Sequence, residues 1–276
     1  MKKCFVMVLL CCLLVAGTAF AKTGTLLVAF GTSMDSARPA IDDIEKAYKK
    51  AAGNEPVLLA FTSDIIRNKL AKEGKPVLSV NAAMNELAAQ GVTDLKIQSL
   101  HIAPAEEYNQ LERMVVKNIT KNPGVFKTVK VGYPLLVSEK DLDAVVKVVL
   151  ASLPKDRKPG DAVVLMGHGN DRGPGDLTLA ATAAAFHKAD PHVWPKLKAS
   201  GAKRVWLQPF MIVAGDHANN DLAGPEEDSW ASRIKAAGMT PMPNLKGLGQ
   251  LKGIQDIFLS HTQNAVVDLA NTKKAD

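Results

Sequence analysis

The sequence predicts an α/β fold built as two similar, consecutive parallel-sheet α/β domains with a cleft between them. Three observations predict it. Short β-branched apolar runs alternate with longer helical patterns from residue 25 onward, the order that parallel strands joined by crossover helices require. That order restarts after a polar, proline-bearing stretch, "PKDRKPG" at 154–160. A twelve-residue segment of the first half also has a counterpart in the second.

The elements follow in chain order. "TLLVAF" (25–30) is a continuous apolar run and reads as a buried parallel strand, with "SARPAIDDIEKAYKKA" as the helix after it. "PVLLAFT" (56–62) is a second strand, followed by helical stretches to about Gln90. "DLKIQSLHI" (94–102) is a third, followed by a helix around 106–120. "FKTVKVGYP" (126–134) is a fourth, and "SEKDLDAVVKVVLASL" its helix. Beyond the linker come the strand "DAVVLMGHG", the helix "DLTLAATAAAFHKA", the strand "KRVWLQPFMI", the helix "SWASRIKAAG" and a final helix, "IQDIFLSHTQNAVVDLA".

Setting "IQSLHIAPAEEY" (97–108) above "LQPFMIVAGDHA" (207–218) aligns Gln98 with Gln208, Ile102 with Ile212, Glu106 with Asp216 and Glu107 with His217. The match implies an internal duplication, and an uneven one. Phe30 aligns with His168, yet Phe30 to Glu107 spans 77 residues where His168 to His217 spans 49. The second half therefore lacks about one strand-helix unit. The resulting division is a leader over 1–21, an N-terminal α/β domain over 22–153, a linker over 154–160 and a C-terminal α/β domain over 161–276.

The leader is read from its three-part composition. Lys2 and Lys3 give a basic start, "CFVMVLLCCLLVAG" a short apolar core, and Ala19 and Ala21 the small residues a signal peptidase reads. The apolar stretch is shorter than the ~20 residues that span a bilayer, so the expectation is export to the periplasm with cleavage after Ala21 and no stable membrane insertion afterwards. All three cysteines, Cys4, Cys11 and Cys12, lie in that leader. The mature chain thus has no disulfide, thiolate metal site or cysteine nucleophile, and any metal ligand is imidazole or an oxygen donor. Without Lys2 and Lys3, 32 basic residues stand against 28 acidic ones. The two signs are interspersed, so no nucleic-acid stripe stands out, and a mild positive excess suits a polyanionic small ligand. The mature 255 residues can bury roughly three quarters of their unfolded surface without metal or disulfide.

Ligands of open parallel sheets gather beyond the carboxyl ends of the strands. Phe30-Gly31-Thr32, Glu106-Glu107, His168-Gly169-Asn170 and Asp216-His217 all fall at such ends. Two imidazoles with carboxylates and no thiol suit divalent cobalt, nickel, iron or zinc, and the same groups can accept protons. Asp216 is the candidate to orient His217 from behind. His101 sits in an apolar strand as a satisfied core histidine, and His187, His192 and His261 receive no role. Arg67, Arg113 and Arg172 are candidates to meet carboxylates of a ligand, although solvated helix faces explain each as well. "NDRGPGD" (170–176) lacks the ending of a phosphate loop, so no nucleotide is expected, and no G-x-S-x-G elbow occurs.

"FGTS", "AFTSDIIRNKL", "IQSLHI" with "EEY", "MGHG", "VAGDHANND", "DSW" and "GLG" occur in this order over nearly the whole mature chain. Together they resemble the anaerobic sirohydrochlorin cobaltochelatases, class II chelatases related to the ferrochelatases. The resemblance implies a tetrapyrrole cleft between two α/β domains and ATP-independent insertion of Co(II) into sirohydrochlorin for cobalamin synthesis. It carries the family's metal-binding histidines to His168 and His217 and its cleft glutamate to Glu107. His168 and Glu107 are thereby the catalytic candidates, and His168, His217 and Glu107 the metal ligands. Two departures mark this chain. The family normally carries a further strand between the "MGHG" helix and the "VAGDHANND" strand, where only "KADPHVWPKLKAS" (188–200) stands here. The family's synthesis is normally cytoplasmic, whereas this chain has an export leader. The expected partner is sirohydrochlorin or a related tetrapyrrole, with Fe(II) or haem as alternative cargo and a homo-oligomer compatible with the composition. The rival reading is a periplasmic carrier of haem, another tetrapyrrole or metal that keeps the chelatase fold.

Overall fold

The computed structural model describes residues 21–169, 175–193 and 196–271. The leader up to Phe20, together with Asn170 and Arg172, lies outside the described residues.

The first half runs β1 (Thr23–Ala29), α1 (Pro39–Ala52), β2 (Val57–Phe61), α2 (Asp64–Lys72), α3 (Val80–Ala89), β3 (Asp94–Ser99), α4 (Glu106–Lys121), β4 (Thr128–Gly132) and α5 (Glu139–Ala151). Its four strands are parallel in the order β2-β1-β3-β4. β1 is central, and all but its first residue are buried, which is why it reads as an unbroken apolar run rather than an alternating one. Serines punctuate the helix starts. The hydroxyls of Ser63, Ser79 and Ser138 accept from the backbone N–H groups of Ile66, Ala82 and Asp141, satisfying donors that the first turn leaves unpaired.

The second half runs β5 (Ala162–Met166), α6 (Gly175–Ala189), the short α7 (Leu197–Ser200), β6 (Arg204–Pro209), a π-helical turn (Ala218–Leu222), α8 (Trp230–Ala236), β7 (Thr240–Pro243), a 3-10 turn (Leu248–Gln250) and α9 (Lys252–Gln263). β5, β6 and β7 form a parallel sheet in that order.

The registers of the two sheets correspond residue by residue. Leu27 pairs with Gln98 across β1–β3, and Leu165 pairs with Gln208 across β5–β6. The two glutamines even bond alike. Gln98 Nε2 donates to the carbonyls of Ser99 and Tyr133, and Gln208 Nε2 to those of Pro209 and Lys246. Each thus ties its own strand end to the loop beyond the next strand. In this correspondence β5, β6 and β7 stand for β1, β3 and β4, and no described strand stands for β2. Among the described residues, only the first pair of the β1–β2 ladder, Thr25 with Val57, has a counterpart, the isolated bridge of Val163 with Val193. Among the described residues, the uneven spacing thus corresponds to an edge strand with no counterpart in the second half.

Two segments differ from expectation. β7, "TPMP", escapes a reading of apolar runs because Pro241 and Pro243 look like strand breakers; it is an edge strand, paired on one side only, where proline is tolerated. The final helix ends at Gln263 rather than continuing to 270, and the chain turns back along β4. There Asp268 bridges Lys130 and its carboxylate accepts from the Val129 N–H at 2.9 Å.

The halves share buried apolar contacts. One continuous cluster takes in Leu27, Phe61 and Val145 from the first half and Val163, Phe210 and Phe258 from the second. α9 packs against α5, β3 and β4 of the first half. His261 on this helix, given no role by its sequence context, is largely buried: Nδ1 lies 3.1 Å from the Tyr133 carbonyl and Nε2 3.0 Å from the Asp141 carboxylate. It latches α9 to the first half through partners that lie 128 and 120 residues away in sequence.

Candidate metal and macrocycle site

The site is assembled at the carboxyl ends of the strands. His168 follows β5 by two residues, between Gly167 and Gly169, and Gly169 takes a left-handed φ of 83° that lets the chain leave the strand sharply. His217 lies beyond β6 at the mouth of the π-helical turn. The Phe210 N–H donates to the Met166 carbonyl at 2.7 Å and ties the ends of β5 and β6 together. The structure brings the two imidazoles side by side, with ring centroids 4.8 Å apart and planes at 85°. Both rings are exposed, and the His217 side chain is about half accessible.

The chain around His217 is held firmly. Asn219 Nδ2 donates to the carbonyls of Ala214 and Gly215 at 3.0 and 2.8 Å, closing the loop before the histidine. His217 Nδ1 lies 2.6 Å from Asp221 Oδ2. With Nδ1–H donating to that carboxylate, the lone pair of Nε2 is left for a cation, the arrangement in which outer carboxylates orient metal-binding histidines. The orienting residue is thus Asp221 and not Asp216, whose carboxylate accepts instead from Asn220 Nδ2 at 2.9 Å. Adjacent side chains on a helical turn point apart, whereas residues four apart share a face. A carboxylate at that spacing in "HANND" was the available signal.

Glu107 sits in the first turn of α4, beyond β3, and is partly buried. Among the described residues no group of three or more histidine, aspartate or glutamate side chains is gathered as a metal cage. The assembled element is the histidine pair, and Glu107 stands at the equivalent strand end of the first half. The two sets of loops meet: a Cβ on Gly215 would lie 3.6 Å from Thr32 Oγ1, and Asn219 Nδ2 is 4.0 Å from the Met34 sulfur.

Exposed apolar side chains stand among the polar ones at these strand ends. Phe30, Ile65, Tyr133, Leu177 and Leu245, all just past strand ends or at the starts of the helices that follow, are 38–82% exposed. Exposed apolar side chains gathered at one end of a sheet mark a binding surface. Two candidate cations are committed elsewhere, Arg67 to Asp64 and Arg113 to Glu106.

His101 is buried at 4% exposure, as its strand context predicts, but only half satisfied. Nδ1 is 2.8 Å from Ser99 Oγ, and Nε2 has no hydrogen-bond partner. Desolvation pushes its pKa down to about 4, so the ring is neutral near pH 7.

The comparisons with known proteins agree with this geometry. The family model described as cobalt chelatase (CbiK) matches residues 23–267. The chain is 36% identical over 259 residues to the sirohydrochlorin cobaltochelatase CbiKC of Nitratidesulfovibrio vulgaris, covering 89% of this chain and 91% of that protein. It is 32% identical over 264 residues to the sirohydrochlorin cobaltochelatase of Salmonella typhimurium, covering 89% and 97%. In fold it is similar to the sirohydrochlorin chelatase SirB of Bacillus subtilis subspecies spizizenii in complex with cobalt, with a TM-score of 0.63 at 16% identity over 88% of this chain and 94% of that one. SirB from Bacillus subtilis with Fe3+ superposes with a TM-score of 0.62 at 15% identity over the same shares. A match along residues 23–267, on a fold of two parallel sheets that sets two histidines side by side, has one reading: the chain belongs to the CbiK cobalt chelatase family.

Proposed function

We propose that this protein is a sirohydrochlorin cobaltochelatase, inserting Co(II) into sirohydrochlorin without ATP on the route to cobalamin. The observation that carries the reading is the His168–His217 pair at 4.8 Å, with His217 held by Asp221, in a chain whose curated relatives carry that activity by name. Co(II) is a substrate here. Two imidazoles hold it loosely enough to release it, since a preformed cage of charged ligands would trap it. Insertion exchanges one cation for the two inner N–H protons of the macrocycle, so the site must also pass protons on. Glu107 is the proposed acceptor and additional ligand, and His168 the imidazole that delivers the ion. The apolar rim of Phe30, Tyr133 and Leu245 suits the flat face of a tetrapyrrole.

The proposal extends to location. The basic start, short apolar core and small residues at Ala19 and Ala21 support export to the periplasm with cleavage after Ala21. Among the described residues no helix is long and apolar enough to cross a membrane.

The test is an anaerobic titration of purified protein with sirohydrochlorin and Co(II), corrected for spontaneous insertion. Conversion of many equivalents per protein supports the enzyme. A spectral change that stops at one equivalent replaces it with the carrier reading, and the same titration with Fe(II) or haem identifies the cargo.

A further inference from the structure

Among the described residues the second half has no strand equivalent to β2, and a cavity opens beside His168. In the first half the position equivalent to Gly169 is Gly31, with a φ of 111°. A Cβ placed on Gly31 would lie 2.5 Å from the ring of Phe61, the last residue of β2. An aromatic side chain of that edge strand thus fills the room beneath the first-half loop. In the second half a Cβ on Gly169 would meet nothing within 4 Å. Among the described residues, Val193 alone keeps a pairing equivalent to that of the edge strand β2. Instead there is a cavity of about 430 Å³ bordered by Gly167 and Gly169. Its walls are Leu165, Leu179, Ala183, Phe186, Phe210 and Trp230.

The described wall carries no charged side chain, and its one hydroxyl, on Thr182, donates to the Thr178 carbonyl at 2.7 Å. A carboxylate placed here would lose its water and meet no charged partner among the described lining residues, a cost of several kcal/mol for any ion. A hydrocarbon group gains on entering. Gly167 and Gly169 are the immediate neighbours of His168, so a molecule lying over the histidine pair has its edge at the mouth of this cavity.

We propose that this cavity is an apolar subsite for the rim of the bound macrocycle, taking hydrocarbon substituents such as methyl, ethyl or vinyl where β2 fills the corresponding space in the first half. The inference rests on the chelatase reading and deepens it. The ligand class includes tetrapyrroles with an apolar edge, not only those carboxylated all round.

The experiment compares two metal-free porphyrins, one carrying eight carboxylates and one carrying methyl, ethyl and two propionate groups, by fluorescence titration of the full mature protein. The refilling variant is Ala183→Phe, with Ala180→Phe, at an exposed helical position lining the same cavity, as a second that packing tolerates more easily. Circular dichroism establishes folding of each. The expected result is that wild type binds both porphyrins and that refilling weakens the ethyl-bearing one about tenfold, the value of two buried CH2 groups, while the octacarboxylate changes less than about twofold. Equal weakening of both, or of neither, overturns the subsite. Binding of the octacarboxylate alone by wild type leaves the chelatase reading standing and removes only this inference. Binding of neither defeats the chelatase reading, and the subsite with it.

Discussion

His101 makes the stability of the fold depend on pH in a defined window. Burial lowers its pKa from 6.5 to about 4 in the folded protein, because Nε2 is enclosed without a partner and the charged ring has no water to face. The unfolded chain takes up the proton below about pH 6.5 and the folded one only near pH 4. Between these values the unfolded state binds more protons, so stability falls as pH falls. The contribution is fully present above about pH 6.5 and is lost down to about pH 4. At pH 4.5 the difference in proton uptake amounts to roughly 2.5 kcal/mol relative to pH 7.5. His101→Asn removes the titrating ring. Its absolute stability changes at every pH because the contact with Ser99 is altered, but the drop between the two pH values should shrink by roughly 2 kcal/mol. Urea denaturation of wild type and variant at pH 7.5 and 4.5 measures this double difference. Equal drops in the two proteins would refute the argument and imply that Nε2 is solvated.

Other outcomes follow from the site. Glu107→Gln keeps the size and removes the charge, and should lower turnover roughly 10²-fold while macrocycle binding is kept; unchanged turnover moves the proton-accepting role to Glu106 or away from carboxylates. Asp221→Ala frees the His217 ring and should weaken Co(II) binding roughly 10- to 100-fold in competition with a chromophoric chelator, whereas Asp216→Ala should leave it within about twofold. Equal effects of the two would remove Asp221 as the positioning residue. Intact mass of the protein recovered from the periplasmic fraction should begin at Lys22, and a soluble protein starting at Met1 or Lys2 contradicts export.

Much of this organisation is legible in the sequence because it is written in runs and spacings. Central strands such as β1 are buried on both faces and show as unbroken apolar stretches. The duplication shows in Gln98 and Gln208 because both side chains carry the same bridging task, which few residues can perform. The shorter second half, with no described counterpart of β2, shows as a spacing of 49 against 77. What escaped detection depends on partners distant in the chain or on rules that override propensity. β7 is masked by prolines that only an edge strand accepts. His261 looks like a surface residue until Tyr133 and Asp141 are brought against it. Asp216 adjoins His217 whereas Asp221 stands four residues on, and the i, i+4 spacing shows as an orienting pair only once the segment is known to be a helical turn. The cavity beside His168 consists of absent atoms, and no motif encodes it.

The central claim is that His168 and His217 act as one cobalt-holding pair, and anaerobic insertion rates test it most directly. Rates with Co(II) and sirohydrochlorin are measured for wild type, His168→Ala, His217→Ala and the double variant, each corrected for insertion without protein. Each single variant is expected to fall to background, with the double scarcely worse than either, because residues that act as a unit are strongly non-additive. Folding and macrocycle binding should survive, since both rings are exposed at strand ends and contribute little to the core. Turnover near the wild-type rate in either single variant would contradict the pair and leave that histidine a surface residue.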